Sequence, residues 1–233
     1  MVLQLPLGLA LQPLVNYENF VVGDNAATLS VWSDMSEPQV WVWGRRGVGK
    51  THLLHAACHA LAAQGEPVAY LPLAEADELS PVVLDGLEQM ALVCIDDVEI
   101  ACGREAWERA LFNFYNLARA NNVVLRFTSS CPPTAAQIVL PDLRSRFLAG
   151  PVFQLRPLSD DDKLKALTKR AKLRGLEFSE EVGRYLLQHY QRDMGALFEL
   201  LDRLDQFSLA AQRRITVPLV RQYFRSLPGA AAD

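Results

Sequence analysis

From about residue 40 onward, short β-branched and apolar runs alternate with longer stretches in which apolar residues recur every three or four positions. The short runs are Val40–Trp43, Val68–Leu71, Leu92–Ile95, Val123–Phe127 and Val152–Leu155. Each is nearly continuous in apolar residues, as a strand must be when helices cover both faces of its sheet. Five such runs with helical patterns between them predict βαβ units and a doubly wound parallel five-stranded sheet. After Pro157 the strand pattern stops. Ser159 is placed to cap a helix reaching about Arg174, with Gly175 as its stop, and Ser179 to cap the next. A third helix carries Leu197, Leu200, Leu201, Leu204 and Phe207 at helical spacing, and Thr216 opens a short last one. The chain therefore reads as an α/β domain followed by a small all-helical lid domain.

Two segments of the α/β part carry chemistry. Gly44-Arg45-Arg46-Gly47-Val48-Gly49-Lys50-Thr51 satisfies every fixed position of GxxxxGK[ST], after a predicted strand and at the start of a predicted helix. The bare pattern arises by chance in roughly one chain of this length per hundred, and far more rarely in that setting. Glycines let successive amide N–H groups turn toward a phosphate chain, and the helix N-terminus adds its positive dipole end. Lys50 is expected to reach the β- and γ-phosphates, and the Thr51 hydroxyl to ligate magnesium. Leu92-Val93-Cys94-Ile95-Asp96-Asp97 delivers two carboxylates at the C-terminal end of a buried strand, where ligands bind in open α/β sheets. Asp96 would hold the magnesium through water and Asp97 would orient or deprotonate an attacking water.

Composition narrows the function classes. Half of the 233 residues are apolar, 21% are charged, and the net charge is −4. This is an ordinary globular balance, without the basic surface that non-specific nucleic-acid binding needs. Cys58, Cys94, Cys102 and Cys131 form no CxxC pair and read as reduced thiols of a cytoplasmic protein. The apolar stretch from Met1 to Val15 has no basic n-region and is broken by Gln4, Pro6, Gln12 and Pro13, so it fits neither a signal peptide nor a membrane span. His52, His55 and His59, beside Cys58, are spread over two helical turns with no carboxylate partner, and a helix face explains them better than a metal site. Trp41 and Trp43 read as sheet packing, and Arg213, Arg214, Arg221 and Arg225 as a solvated basic face.

With Asp96 and Asp97 placed, the chain resembles the AAA+ branch of the bacterial replication initiator DnaA over almost its whole length. Asn19-Phe20-Val21-Val22-Gly23 resembles the stretch over the adenine. Thr128-Ser129-Ser130-Cys131-Pro132-Pro133 resembles the sensor-1 turn, with Ser130 where the initiators more often carry an acid. Asp142-Leu143-Arg144-Ser145-Arg146-Phe147 resembles the arginine-finger motif, and Arg192-Asp193-Met194-Gly195-Ala196-Leu197 resembles sensor 2. The segment around His52 and His55, Leu84 to Leu87, and Pro157 to Leu167 resemble the Hda family of initiator regulators. As in that family, the chain has no room for the initiator's N-terminal interaction domain or its helix-turn-helix domain. Gln4-Leu5-Pro6-Leu7-Gly8-Leu9 resembles the short peptides that bind the replicative sliding clamp.

The resemblance implies residues 1–14 as a clamp-binding tail using Gln4, Leu5, Leu7 and Leu9. It implies residues 15–156 as the AAA+ domain, 157–228 as the lid and 229–233 as a tail. An adenine nucleotide (ADP or ATP) with Mg²⁺ would meet Gly44, Gly47, Val48, Gly49, Lys50, Thr51, His52, Val21, Val22 and Ser130, with Thr51 and Asp96 toward the metal. Arg146 would act in trans, with Arg144 open as its substitute; Asp97 and Arg192 complete the catalytic set. The implied partners are DnaA and the sliding clamp (beta subunit), with DNA reached indirectly through the clamp, homo-oligomerisation left open, and no membrane. The implied function is inactivation of DnaA at the replisome by stimulating hydrolysis of its ATP, with weak or absent ATPase activity of its own. An autonomous ATPase of the helicase-loader or remodelling type, and a DNA-anchoring adaptor, remain as alternatives.

Overall fold

The computed structural model describes residues 15–75, 79–190 and 193–227. Five parallel strands, β1 (Gln39–Trp43), β2 (Val68–Pro72), β3 (Leu92–Asp96), β4 (Val124–Ser129) and β5 (Val152–Gln154), form one sheet in the order β2-β3-β4-β1-β5. Every expected strand is present, with ends moved by one or two residues. The register pairs Trp43 with Ser129 and Ile95 with Phe127, so Trp43, Asp96 and Ser129 all end at one edge of the sheet. That edge is where a parallel sheet places its ligand-facing loops.

Four helices belong to the sheet domain: α1 (Ala26–Ser33), α2 (Lys50–Ala62), α3 (Glu105–Ala120) and α4 (Pro141–Phe147). In α3 the buried residues Trp107, Glu108, Leu111, Phe114, Tyr115 and Ala118 repeat at helical spacing and form its sheet-facing stripe. The link from β2 to β3 departs from a regular βαβ unit. Among the described residues it consists of the 3₁₀ turns Leu73–Glu75, Pro81–Leu84 and Leu87–Gln89. Pro81 opens the second turn, and Gly86 precedes the third at φ +85°, a backbone that L side chains disfavour. Leu84 and Leu87 nevertheless reach the core beneath α3.

The core on this side of the sheet is centred on Trp41, Phe127 and Phe147, whose ring centroids lie 5.1 to 5.9 Å apart in tilted pairs. They come from β1, β4 and α4. Trp41, expected as sheet packing, is fully buried and donates its indole N–H to the Cys131 carbonyl at 3.2 Å. A buried charge organises another part of the domain. Arg126 in β4 is wholly shielded and donates to the carbonyls of Trp32 (2.9 Å), Asp34 (2.8 Å), Glu37 (3.1 Å) and Leu125 (3.0 Å). Burial pushes this guanidinium below its ordinary pKa, and the carbonyls compensate the lost water.

The lid helices are α5 (Asp160–Leu173), α6 (Glu180–His189), α7 (Met194–Ala211) and α8 (Val217–Ser226). The capping side chains expected from the sequence are in place. Ser159 accepts from the Asp162 amide at 3.1 Å, Ser179 from Val182 at 3.3 Å and Thr216 from Leu219 at 3.5 Å. Gly175 follows α5 with φ +71°. Leu164, Leu167, Val182, Leu186, Leu197, Leu200, Leu204 and Val220 close a separate core. The described residues divide into two compact units, one within residues 15–20, 25–45 and 49–156, the other within 21–24, 46–48 and 157–227. No helix among the described residues is long and apolar enough to cross a membrane.

The buried arginine yields a direct test. Arg126→Leu should lower the free energy of unfolding by about 3 kcal/mol or more, because it leaves shielded carbonyls without donors. Arg126→Lys should still lose about 2 kcal/mol, since one ammonium cannot reproduce a planar fork. Urea denaturation followed by circular dichroism reads both, and wild-type midpoints would refute the assignment.

Candidate functional site

The site begins where β1 ends. The Gly44 amide donates to the Ser129 carbonyl at 3.1 Å, continuing the β1–β4 ladder one step before the chain turns. Gly47 and Gly49 then take φ +76° and +105°, a backbone open to glycine and strained for other residues. At Gly47 a Cβ would also collide with the Asp193 carboxylate, which belongs to the same compact unit. No side chain caps α2. Its first N–H groups are therefore the kind of orphan donors that bind an anion. Arg45 and Arg46 are exposed, Val48 is half-buried, and Lys50 is buried. The Lys50 ammonium rests on the carbonyls of Gly44 (3.0 Å) and Arg45 (3.4 Å), inside the turn it would serve.

In the first turn of α2, the Thr51 hydroxyl donates to Asp96 Oδ2 at 2.7 Å, joining the loop to the end of β3. Asp96 is 3% exposed. It also accepts from the Tyr70 hydroxyl at 3.0 Å, from the Asp97 amide at 3.1 Å and from the Thr128 hydroxyl. Burial first, then the charge of Asp96 and the bond to it, push the Tyr70 phenol far above its ordinary pKa, so it stays a donor. Behind it the buried His55 ring lies 4.4 Å from the Tyr70 ring, and burial holds that imidazole below its usual pKa against the opposing pull of Asp96.

The donor set fits a divalent cation. Among the described residues, the hydrogen-bond donors to the Asp96 carboxylate are all neutral, and the Thr51 oxygen sits beside it. Asp97 follows in the left-handed region at φ +51°, a conformation that Asp tolerates better than most residues.

The remaining expected residues are distributed as follows. His52 bonds the Asn16 carbonyl through Nε2 at 2.9 Å and meets Phe20 edge to face at 5.4 Å. Val21 packs on the lid core, and Val22 lies beside it, half-buried, in the same unit. Ser130 is exposed and its amide donates to Glu99 Oε1 at 2.7 Å, while the neighbouring Thr128 is the residue that reaches Asp96. Arg144 and Arg146 both stand exposed on α4. The Arg144 guanidinium bonds the Ile138 carbonyl at 2.7 Å, whereas that of Arg146 lies 6.0 Å from the centre of the Tyr115 ring. Gln4, Leu5, Leu7, Leu9 and Arg192 lie outside the described residues.

Tyr70 and Glu99 were not among the expected residues, and within the expected sensor-1 segment it is Thr128 and not Ser130 that reaches Asp96. For Tyr70 and Thr128 the available signal was register: Tyr70 lies opposite Cys94 on the strand to one side of β3, and Thr128 lies near the C-terminal end of the strand to its other side. It needs the strand order, which apolar runs alone do not supply.

Comparison with known proteins gives this arrangement its family. The model of the bacterial DnaA ATPase domain matches residues 11–154, and the model of the Hda lid domain matches residues 160–224. Domain III of the Thermotoga maritima replication initiation protein DnaA is similar in fold, with a TM-score of 0.78 and 20% identity over 92% of this chain and 97% of that one. AMPPCP-bound DnaA from Aquifex aeolicus matches with a TM-score of 0.66 and 25% identity over 83% and 66%. The Thermotoga maritima RuvB branch migration motor shares the fold at a TM-score of 0.65 and 17% identity over 91% and 70%. With the ATPase-domain model covering more than half of its length and the lid model much of the rest, this chain belongs to the bacterial DnaA ATPase-domain family, as an Hda-like, DnaA-related AAA+ protein.

Proposed function

We propose that this protein binds an adenine nucleotide with Mg²⁺ in the Gly44–Thr51 loop and stimulates hydrolysis of the ATP held by DnaA. Through Gln4, Leu5, Leu7 and Leu9 it is tethered to the DNA-loaded sliding clamp, and the result is that replication does not re-initiate. The observation that carries this reading is the union of a DnaA-type ATPase domain and an Hda-type lid in one chain whose α4 presents an exposed Arg146.

The loop geometry supports nucleotide binding. Amides from Gly47 to Thr51 would meet the phosphates, Lys50 would exchange its carbonyl partners for phosphate oxygens, and Thr51 and Asp96 would hold the metal. The bound Mg²⁺ supplies the positive charge that the neutral donors around Asp96 lack. The similarity to an AMPPCP-bound initiator supports an adenine base.

Between the two arginines of α4, Arg146 is the better finger. The Arg144 side chain is engaged by its own loop, while the guanidinium of the exposed Arg146 lies over the buried Tyr115 ring, 6.0 Å from its centre. A finger of this kind is worth about 10³ to 10⁵ in hydrolysis rate in other NTPases. The clamp tether would raise the effective concentration of Arg146 near newly replicated DNA. The completeness of the Lys50, Thr51, Asp96 and Asp97 set favours a second reading, an autonomous ATPase. Basal turnover that is lost in Asp97→Asn and indifferent to the clamp would select it.

Three measurements test the proposal. Calorimetry with Mg²⁺ and adenine nucleotides should show binding that weakens at least about tenfold in Lys50→Ala, the loss of one charge-assisted contact; absence of binding in the unaltered protein would remove its basis. DnaA loaded with ATP should hydrolyse it faster with this protein and DNA-loaded clamp, about a hundredfold or more slower with Arg146→Ala and near normally with Arg144→Ala. Immobilised clamp should retain the intact protein and release a Gln4→Ala, Leu7→Ala variant, and equal retention would discredit the tail.

A further inference from the structure

Arg146 sits on a helix of only seven residues, too short to hold its own orientation, so something else must fix it. The N-terminal end of α4 is held by Glu108 on α3, a carboxylate 1% exposed. It accepts from the amides of Val139 (2.9 and 3.1 Å) and Leu140 (2.6 Å), directly before the helix, and from Gly103 at 2.7 Å. The C-terminal end is held by Gln39 at the start of β1. Its amide donates to the Arg146 carbonyl at 3.0 Å and to that of Phe147 at 3.4 Å. Gly150 makes room for it, since a Cβ there would stand 2.3 Å from the Gln39 side chain.

The Gln39 amide is in turn oriented by the Tyr115 hydroxyl, which donates to its oxygen at 2.6 Å. Tyr115 lies seven residues after Glu108, two turns along the same face of α3. Its ring is the one beneath the Arg146 guanidinium. One tyrosine therefore bonds the backbone mount of Arg146, through Gln39, and lies beneath its charged tip.

We propose that Gln39 and Tyr115 are positioning residues for Arg146, holding the last turn of α4 and aiming the guanidinium at a partner's phosphate. This rests on the reading of Arg146 as the trans-acting arginine. Neither residue contacts the nucleotide loop in the described structure, so their effect belongs to the rate at saturation and not to nucleotide affinity.

The test follows DnaA ATP hydrolysis against increasing concentration of the full-length protein with DNA-loaded clamp. Gln39→Leu should lower the saturating rate about tenfold and Tyr115→Phe about threefold, with the half-saturating concentration unchanged within twofold and nucleotide affinity intact. Tyr115→Phe keeps the ring and the volume, so it remains informative should Gln39→Leu unfold. A second readout needs no partner: the Nε–H signal of Arg146 by NMR, assigned with Arg146→Lys, should shift in Tyr115→Leu and stay near its place in Tyr115→Phe. Wild-type saturating rates in both variants while Arg146→Ala is inactive would overturn the positioning role alone. A raised half-saturating concentration at full rate would overturn it in favour of a docking role. Full activity of Arg146→Ala would instead defeat the finger reading, and this proposal with it.

Discussion

A carboxylate shut away from water at the end of a parallel strand has to be met by donors, and Asp96 draws them from three neighbouring elements. Thr51 comes from the first turn of α2, Tyr70 from β2 and Thr128 from β4. These bonds fix the first turn of α2 relative to the ends of the strands, and with it the end of the Gly44–Thr51 loop. Losing any one hydroxyl would leave an ionised oxygen partly unsolvated in a low-dielectric setting, where the cost is greatest. The neutrality of the donors matters as much as their number: a lysine in place of Tyr70 would satisfy the same oxygen but neutralise the charge that a divalent cation needs.

The same device recurs at α4. Glu108 and Gln39 are buried polar side chains whose bonds go to main-chain groups at the two ends of α4. Between them the aromatic cluster of Trp41, Phe127 and Phe147 supplies the apolar contact that keeps the helix on the sheet. Aromatic packing alone is tolerant of small rotations, whereas hydrogen bonds at both ends define an angle. Arg126 performs a comparable service for the segment after α1, again by donating to carbonyls instead of to a carboxylate.

The legible part of the sequence was the part governed by periodicity and local chemistry. Strands were readable because continuous apolar runs mark a sheet covered on both faces, and the lid because Ser159, Ser179 and Thr216 announce their helices. The turn from Gly44 to Thr51 was readable because backbone conformation at Gly47 and Gly49 restricts the residue type. Tyr70, Thr128, Glu108 and Gln39 were not, since their roles arise from partners 26 to 107 positions away. The 3₁₀ path between β2 and β3 was hidden for a different reason. Its leucines keep a core-facing spacing that suits a helix equally well, and only Pro81 and Gly86 speak against one.

A mounted arginine also bears on how a regulator of this kind would act. An arginine free to sample its rotamers gives up roughly 2 kcal/mol of side-chain entropy when it is ordered against a phosphate. Where the guanidinium already lies over a ring and its own carbonyl is held by a side-chain amide, part of that cost is met during folding and not at the encounter. The binding energy of the partner is then left for stabilising charge as it develops on the phosphoryl oxygens, which is where it accelerates hydrolysis. A protein that acts on another protein's bound nucleotide has a particular need of such preorganisation, because it must complete the partner's site without rebuilding it.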